Sequence, residues 1–217
     1  MIPLRDVIPS RTVPFVTVTI IVLNAAAWMI EISMPSRDLN ELLFLWGVVP
    51  AKFHPTTLVT SMFLHGGWSH IIGNMWYLWI FGDNVEDRFG HGRFLVFYLL
   101  CGMTAAFGQI IMEPASMLPT IGASGAIAGV MGAYFVLFPS SRVLTLVPLF
   151  FFFDIIEVRT IFLLGFWFLM QLVNAGAVAV TAGTGGGGVA FAAHVAGFLM
   201  GVGGVFLFRK REPRPEW

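Results

Sequence analysis

The chain has 217 residues, of which 57% are hydrophobic, 15% aromatic and 11% charged, and its formal net charge is zero. A soluble domain carries roughly 25% charged residues, so this composition excludes an ordinary water-soluble fold, and the neutral balance gives nucleic acid no basic surface to bind. Cys101 is the only cysteine, which excludes an intrachain disulfide and a cysteine-based metal cluster.

Six near-uncharged stretches approach or exceed the roughly 17 residues that cross a bilayer as helix. They are 14–32, 68–85, 94–112, 124–138, 160–180 and 189–208. The reading is an all-α membrane protein, a bundle of six transmembrane helices forming one domain over residues 1–217. The first run has no small-residue cleavage site after a short core, so it reads as a retained span and not a signal peptide. Segment 34–67 is too apolar for a disordered linker and is expected to lie partly in the membrane interface. The run 143–153 would cover only about 16 Å as helix against a core of roughly 30 Å. It contains Pro148 and is followed by Asp154 and Glu157, so it too is expected at the interface. Residues 181–188 are Gly-rich and uncharged and predict a flexible outer loop.

With six spans, Arg5, Arg11, Arg88, Arg93, Arg142, Arg159, Arg209, Lys210, Arg211 and Arg214 fall on one side. Only Arg37 and Lys52 fall on the other. That asymmetry predicts cytoplasmic N- and C-termini; the expected location is the plasma (cell inner) membrane.

The informative polar residues lie inside the spans. Ser124 and His194 each sit fourteen residues before the cytoplasmic end of their span, at Phe138 and Phe208. At 1.5 Å per residue both lie about 21 Å above that edge, several ångströms below the outer surface. His70 and Asn74, one helical turn apart on one face, fall at about 22 Å and 16 Å above Val85 by the same count. Four polar side chains from three helices thus share one layer. Buried polar groups cost free energy unless partnered, and a nucleophile with its base would be such a partnership. The span starting at Ser124 is short, which implies a water-filled recess above it. Its N-terminus places free N–H groups and the positive dipole end beside the serine.

The glycines have a plainer use. Gly125 and Gly129, and again Gly197 and Gly201, form G-x-x-x-G strips that draw helices together. Close packing of these two helices is also what a Ser124–His194 contact needs. Asn24, Gln109, Gln171 and Asn174 read as interhelical hydrogen-bonders. There is no H-E-x-x-H motif, no pair of aspartates inside the spans and no plausible metal-ligand set, so no cofactor or metal is expected.

These residues resemble the rhomboid family of intramembrane serine proteases over nearly the whole chain. The resemblance is carried by His70-x-x-x-Asn74, by Gly122-x-Ser124-Gly125 and by Ala193-His194-x-x-Gly197-x-x-x-Gly201. Supporting pieces are His65-Gly66-Gly67-Trp68-Ser69-His70 and Gly82…Glu86…Gly90. The resemblance implies a Ser124–His194 dyad with no third acid, and an oxyanion site from the Ser124 N–H, His70 and Asn74. It implies single-span transmembrane proteins as substrates, cut near the outer membrane face, with lipid as the surrounding partner. The loop 181–188 and the fifth span resemble the family's cap and lateral gate. Two positions depart from the pattern. Ala128 stands where some members carry a tyrosine packed on the histidine, and Thr56-Thr57 where some carry Trp-Arg. The rival reading is a non-catalytic polytopic membrane protein, either a small transporter or a chaperone for transmembrane helices.

Overall fold

The computed structural model describes residues 1–149, 152–180 and 190–210. Helices form at each of the six apolar stretches: α1 (Phe15–Ser33), α4 (Trp68–Phe89), α5 (His91–Met112), α6 (Ser124–Leu137), α7 (Thr160–Val180) and α8 (Phe191–Phe208). Two shorter helices, α2 (Ser36–Trp46) and α3 (Thr57–Thr60), lie in the long connection after α1. Among the described residues, four helices are long and apolar enough to cross a membrane: α1, α5, α7 and α8. The α4 helix is polar for its length, with His70, Asn74, Asp83 and Asn84, and α6 has only 14 residues. The Gly-rich stretch 181–188 and the basic residues Arg211 and Arg214 lie outside the described residues.

At the centre is α6, with every residue from Gly125 to Tyr134 buried. It packs on α8, α5 and α4. Its small residues permit this by contact of backbone on backbone. A Cβ added at Gly129 would overlap Cys101, and one at Gly201 would lie 2.6 Å from the Gly129 carbonyl carbon. The G-x-x-x-G strips therefore do pack against each other, in the manner of small-residue membrane interfaces.

The all-α expectation needs correction. The run 143–153, expected from sequence at the membrane interface, contributes to two antiparallel strands, β2 (Arg142–Leu149) and β3 (Phe152–Arg159). A third strand, β1 (Ile2–Asp6), pairs with β2 and gives the order β1-β2-β3. The physical reason is a period of two. Val143 and Thr145 are fully buried, while Arg142 is exposed and Leu144 half-buried between them. Eight residues are too few for a spanning helix but enough for an average strand. Arg142 and Glu157 close the base of the hairpin with a 2.7 Å ion pair.

The residues before α1 are anchored rather than loose. Trp76 donates its ring N–H to the Pro3 carbonyl at 2.6 Å. The Asp6 carboxylate accepts from Asn84 (2.8 Å) and the Tyr134 hydroxyl (2.7 Å). Asp87 accepts from the Arg11 N–H (2.6 Å), the Thr12 N–H (3.0 Å) and the Thr12 hydroxyl, and Ser10 donates to Asp83. With its acidic residues thus engaged, α4 runs one turn beyond the sequence boundary.

The Gly82…Glu86…Gly90 pattern gains a structural meaning here. Pro14 offers no side chain to cap α1, so the buried Glu86 carboxylate does it from another helix. It accepts from the Val16 N–H (2.9 Å), the Thr17 N–H (2.8 Å) and the Thr17 hydroxyl (2.7 Å). Gly82 lets Thr17 approach, since a Cβ there would sit 3.0 Å from it. Gly90, at φ +80°, makes the left-handed turn from α4 into α5.

Candidate active site

The serine turn is built by the outer connections. Val48 and Thr120 exchange backbone hydrogen bonds (3.0 and 2.8 Å), which joins the long segment after α1 to the chain entering α6. The Ser61 carbonyl then accepts from the Gly122 N–H at 2.9 Å. Gly122 takes φ +117°, a conformation side chains disfavour, and a Cβ there would meet His70 Nε2 at 2.6 Å. The next two residues enter α6. Its first helical bond runs from the Ile127 N–H to the Ala123 carbonyl, so the Ser124 N–H lacks an acceptor within the helix.

Ser124 and His194 are in contact. Ser124 Oγ lies 2.8 Å from His194 Nε2. The opposite ring nitrogen, Nδ1, lies 2.8 Å from the side-chain oxygen of Gln171 on α7. An amide oxygen only accepts, so the Nδ1 carries the hydrogen and a neutral ring leaves a lone pair on Nε2. The Ser124 hydroxyl therefore donates to His194. This is the arrangement in which an imidazole can take the hydroxyl proton as the oxygen attacks.

His70 and Asn74 face the same turn. A Cβ at Gly122 would lie 3.6 Å from Asn74 Nδ2 as well as beside His70. The Gly66 N–H donates to His70 Nδ1 at 3.3 Å, which puts the hydrogen of the neutral ring on Nε2, the nitrogen toward Gly122. Asn74 is buried, and its Nδ2 has no acceptor among the described residues. Two side-chain donors thus converge on the turn that carries Ser124. Behind them, His65 packs edge-on against His70 with ring centroids 5.1 Å apart, while its N–H donates to the Glu31 carboxylate at 3.1 Å. Burial and the neighbouring His70 push the His65 imidazole down to about 4, so it stays neutral behind the site.

All four residues singled out in the sequence are brought into one place. Two others on α7, one helical turn apart, stand beside the dyad: Gln171, read from sequence only as an interhelical hydrogen-bonder, and Trp167, which was not singled out. The Trp167 ring lies 5.9 Å from the His194 ring at 37° and packs further on Phe198. The signal was a tryptophan and a glutamine at i and i+4 in the fifth apolar run. Among the described residues, no three His, Cys, Asp or Glu side chains gather as metal ligands would.

Comparison with known proteins agrees with the geometry. The rhomboid domain family model matches residues 52–211. The chain belongs to the rhomboid family. Its relatives include the rhomboid protease GluP of Bacillus subtilis (strain 168), 40% identical over 85 residues, which are 39% of this chain and 16% of that protein. The putative rhomboid protease YdcA of the same organism is 30% identical over 57% of this chain and 62% of its own length. Rhomboid-like protein 11, chloroplastic, of Arabidopsis thaliana is 29% identical over 88% of this chain and 64% of its own. The chain thus spans less than two thirds of the length of each of these three rhomboid relatives.

Proposed function

We propose that this chain is an intramembrane serine endopeptidase. The observation that carries the reading is the 2.8 Å contact between Ser124 Oγ and His194 Nε2, at the head of a helix whose first N–H groups have no acceptor within the helix. Ser124 attacks the scissile carbonyl, and His194 takes its proton and returns it to the leaving amine. The carbonyl oxygen, negative in the tetrahedral intermediate, is met by the Ser124 N–H, His70 Nε2–H and Asn74 Nδ2.

The substrates are single-span transmembrane proteins, cut near the outer face of the plasma membrane. Ser124 lies about 21 Å from the cytoplasmic edge of its helix, which fits that position in a roughly 30 Å core. The chain crosses the membrane six times with both termini in the cytoplasm; α6 is buried among the other helices, while α4 turns Trp68, Ile72, Trp76 and Trp79 outward. A substrate helix enters from lipid beside α7, where Phe162, Phe166, Leu169 and Val173 face outward.

The test is cleavage of a panel of single-span proteins reconstituted with the purified chain in liposomes. The wild type should produce fragments ending near the outer membrane face. Ser124→Ala and His194→Ala should each abolish them, and the double variant should be no worse, since the pair acts as a unit. Cleavage that persists in Ser124→Ala would remove the serine-protease reading.

A further inference from the structure

Resting on that reading, we propose that Gln171 is the positioning residue of the dyad: its side-chain carbonyl fixes the tautomer and orientation of His194. An imidazole can serve as a base toward Ser124 only with its lone pair on Nε2 and its plane aimed at the hydroxyl. A hydrogen bond at Nδ1 selects both at once. In serine hydrolases with a third acid, a carboxylate does this. Here the Nδ1 partner is a neutral amide oxygen at 2.8 Å, so the tautomer is fixed without placing a charge in the membrane layer.

The surroundings support an orienting role over simple helix bridging. Gln171 is half-buried on α7, and Trp167, one turn before it, lies against the same imidazole. Phe168 stacks on Phe198 of α8 with ring centroids 4.5 Å apart, which holds this stretch of α7 against the helix that bears His194. Ring face and ring nitrogen are thus both set from α7, whereas the serine comes from α6 and the histidine from α8. Elsewhere α7 presents exposed apolar side chains. The dyad is therefore competent only while α7 is docked on α8.

The experiment measures labelling of the purified full chain by a fluorophosphonate probe, separating the maximal rate kinact from the half-saturating concentration KI. Gln171→Met keeps the length of the side chain and removes the acceptor. It should lower kinact by about 10- to 100-fold with KI unchanged and the chain still folded, because a misaimed base slows the chemical step. Gln171→Glu restores an acceptor at the same reach and should recover most of kinact. A residue that merely bridges helices would instead change the melting temperature and leave kinact alone. If Gln171→Met does not fold, Gln171→Asn reads the same effect, since it withdraws the acceptor by about one bond length, roughly 1.5 Å. Wild-type kinact in Gln171→Met, or in Gln171→Asn where Met fails, overturns the positioning role while leaving Ser124 as nucleophile. A wild-type chain that takes no label at Ser124 overturns both.

Discussion

Replacing Gly197 by alanine puts a methyl group where α8 touches α6, three residues from His194 and opposite the residue after Ser124. The added Cβ would lie 3.0 Å from the Gly125 carbonyl carbon and nearer still to its oxygen. Carbon atoms meet at about 3.5–4.0 Å, so the two backbones must part by about 1 Å at this point. Neither side can yield locally, because both contacting groups are main chain. The Ser124–His194 distance of 2.8 Å then opens toward about 3.8 Å, beyond hydrogen-bond range. Such a displacement costs about 10²-fold in rate, and overpacking a close interface costs about 1–3 kcal/mol in stability. The assay pairs cleavage of a transmembrane substrate with thermal unfolding in detergent. Gly197→Ala should remain folded, melt lower and cleave about 100-fold more slowly. Full activity with an unchanged melting temperature would show that the glycine strip does not set the dyad distance.

Three further outcomes are expected. Asn74→Ala should slow turnover by about 10²–10³-fold with little change in KM, as removal of one preorganised oxyanion donor does; an unchanged kcat would make Asn74 a packing group. Glu86→Ala leaves the Val16 and Thr17 N–H groups without their acceptor and should cost about 3 kcal/mol or more, read from denaturant or thermal melts of the purified chain. Burial, with the neighbouring Asp83, pushes the Asp6 carboxyl up to about 6 against the Tyr134 hydrogen bond that opposes it. The folded chain then binds a proton that the unfolded chain has lost, so this group's contribution is fully present below about 3.8 and is lost as pH rises through 6. Asp6→Asn should therefore flatten the melting-temperature profile between pH 4 and 7 relative to wild type, and parallel profiles would refute the buried-strand assignment.

The sequence was most legible where hydrophobic length and spacing decide the outcome. Six near-uncharged runs gave six helices within a turn of their expected ends, because burial or lipid leaves the backbone no alternative to internal hydrogen bonds. Ser124, His194, His70 and Asn74 could be picked out because each is a polar group in a setting that penalises it. The hairpin was hidden since Val143–Leu149 is apolar but for Thr145, and its period of two appears only when buried and half-buried positions are told apart. The first strand, Ile2–Asp6, was hidden for another reason. Its partner lies some 140 residues away in the chain, and no local pattern announces that pairing. Gln171 was visible as a polar residue in a span, but which nitrogen it meets depends on how α7 rotates against α8.

The account rests on Ser124 as a nucleophile activated by His194, and the most direct measurement is the site of covalent capture. The purified chain, incubated with a fluorophosphonate and digested for mass spectrometry, should carry one adduct, on Ser124. The adduct should be absent in Ser124→Ala and strongly reduced in His194→Ala, with both variants still folded. An adduct on another residue, or undiminished capture in His194→Ala, would contradict the dyad.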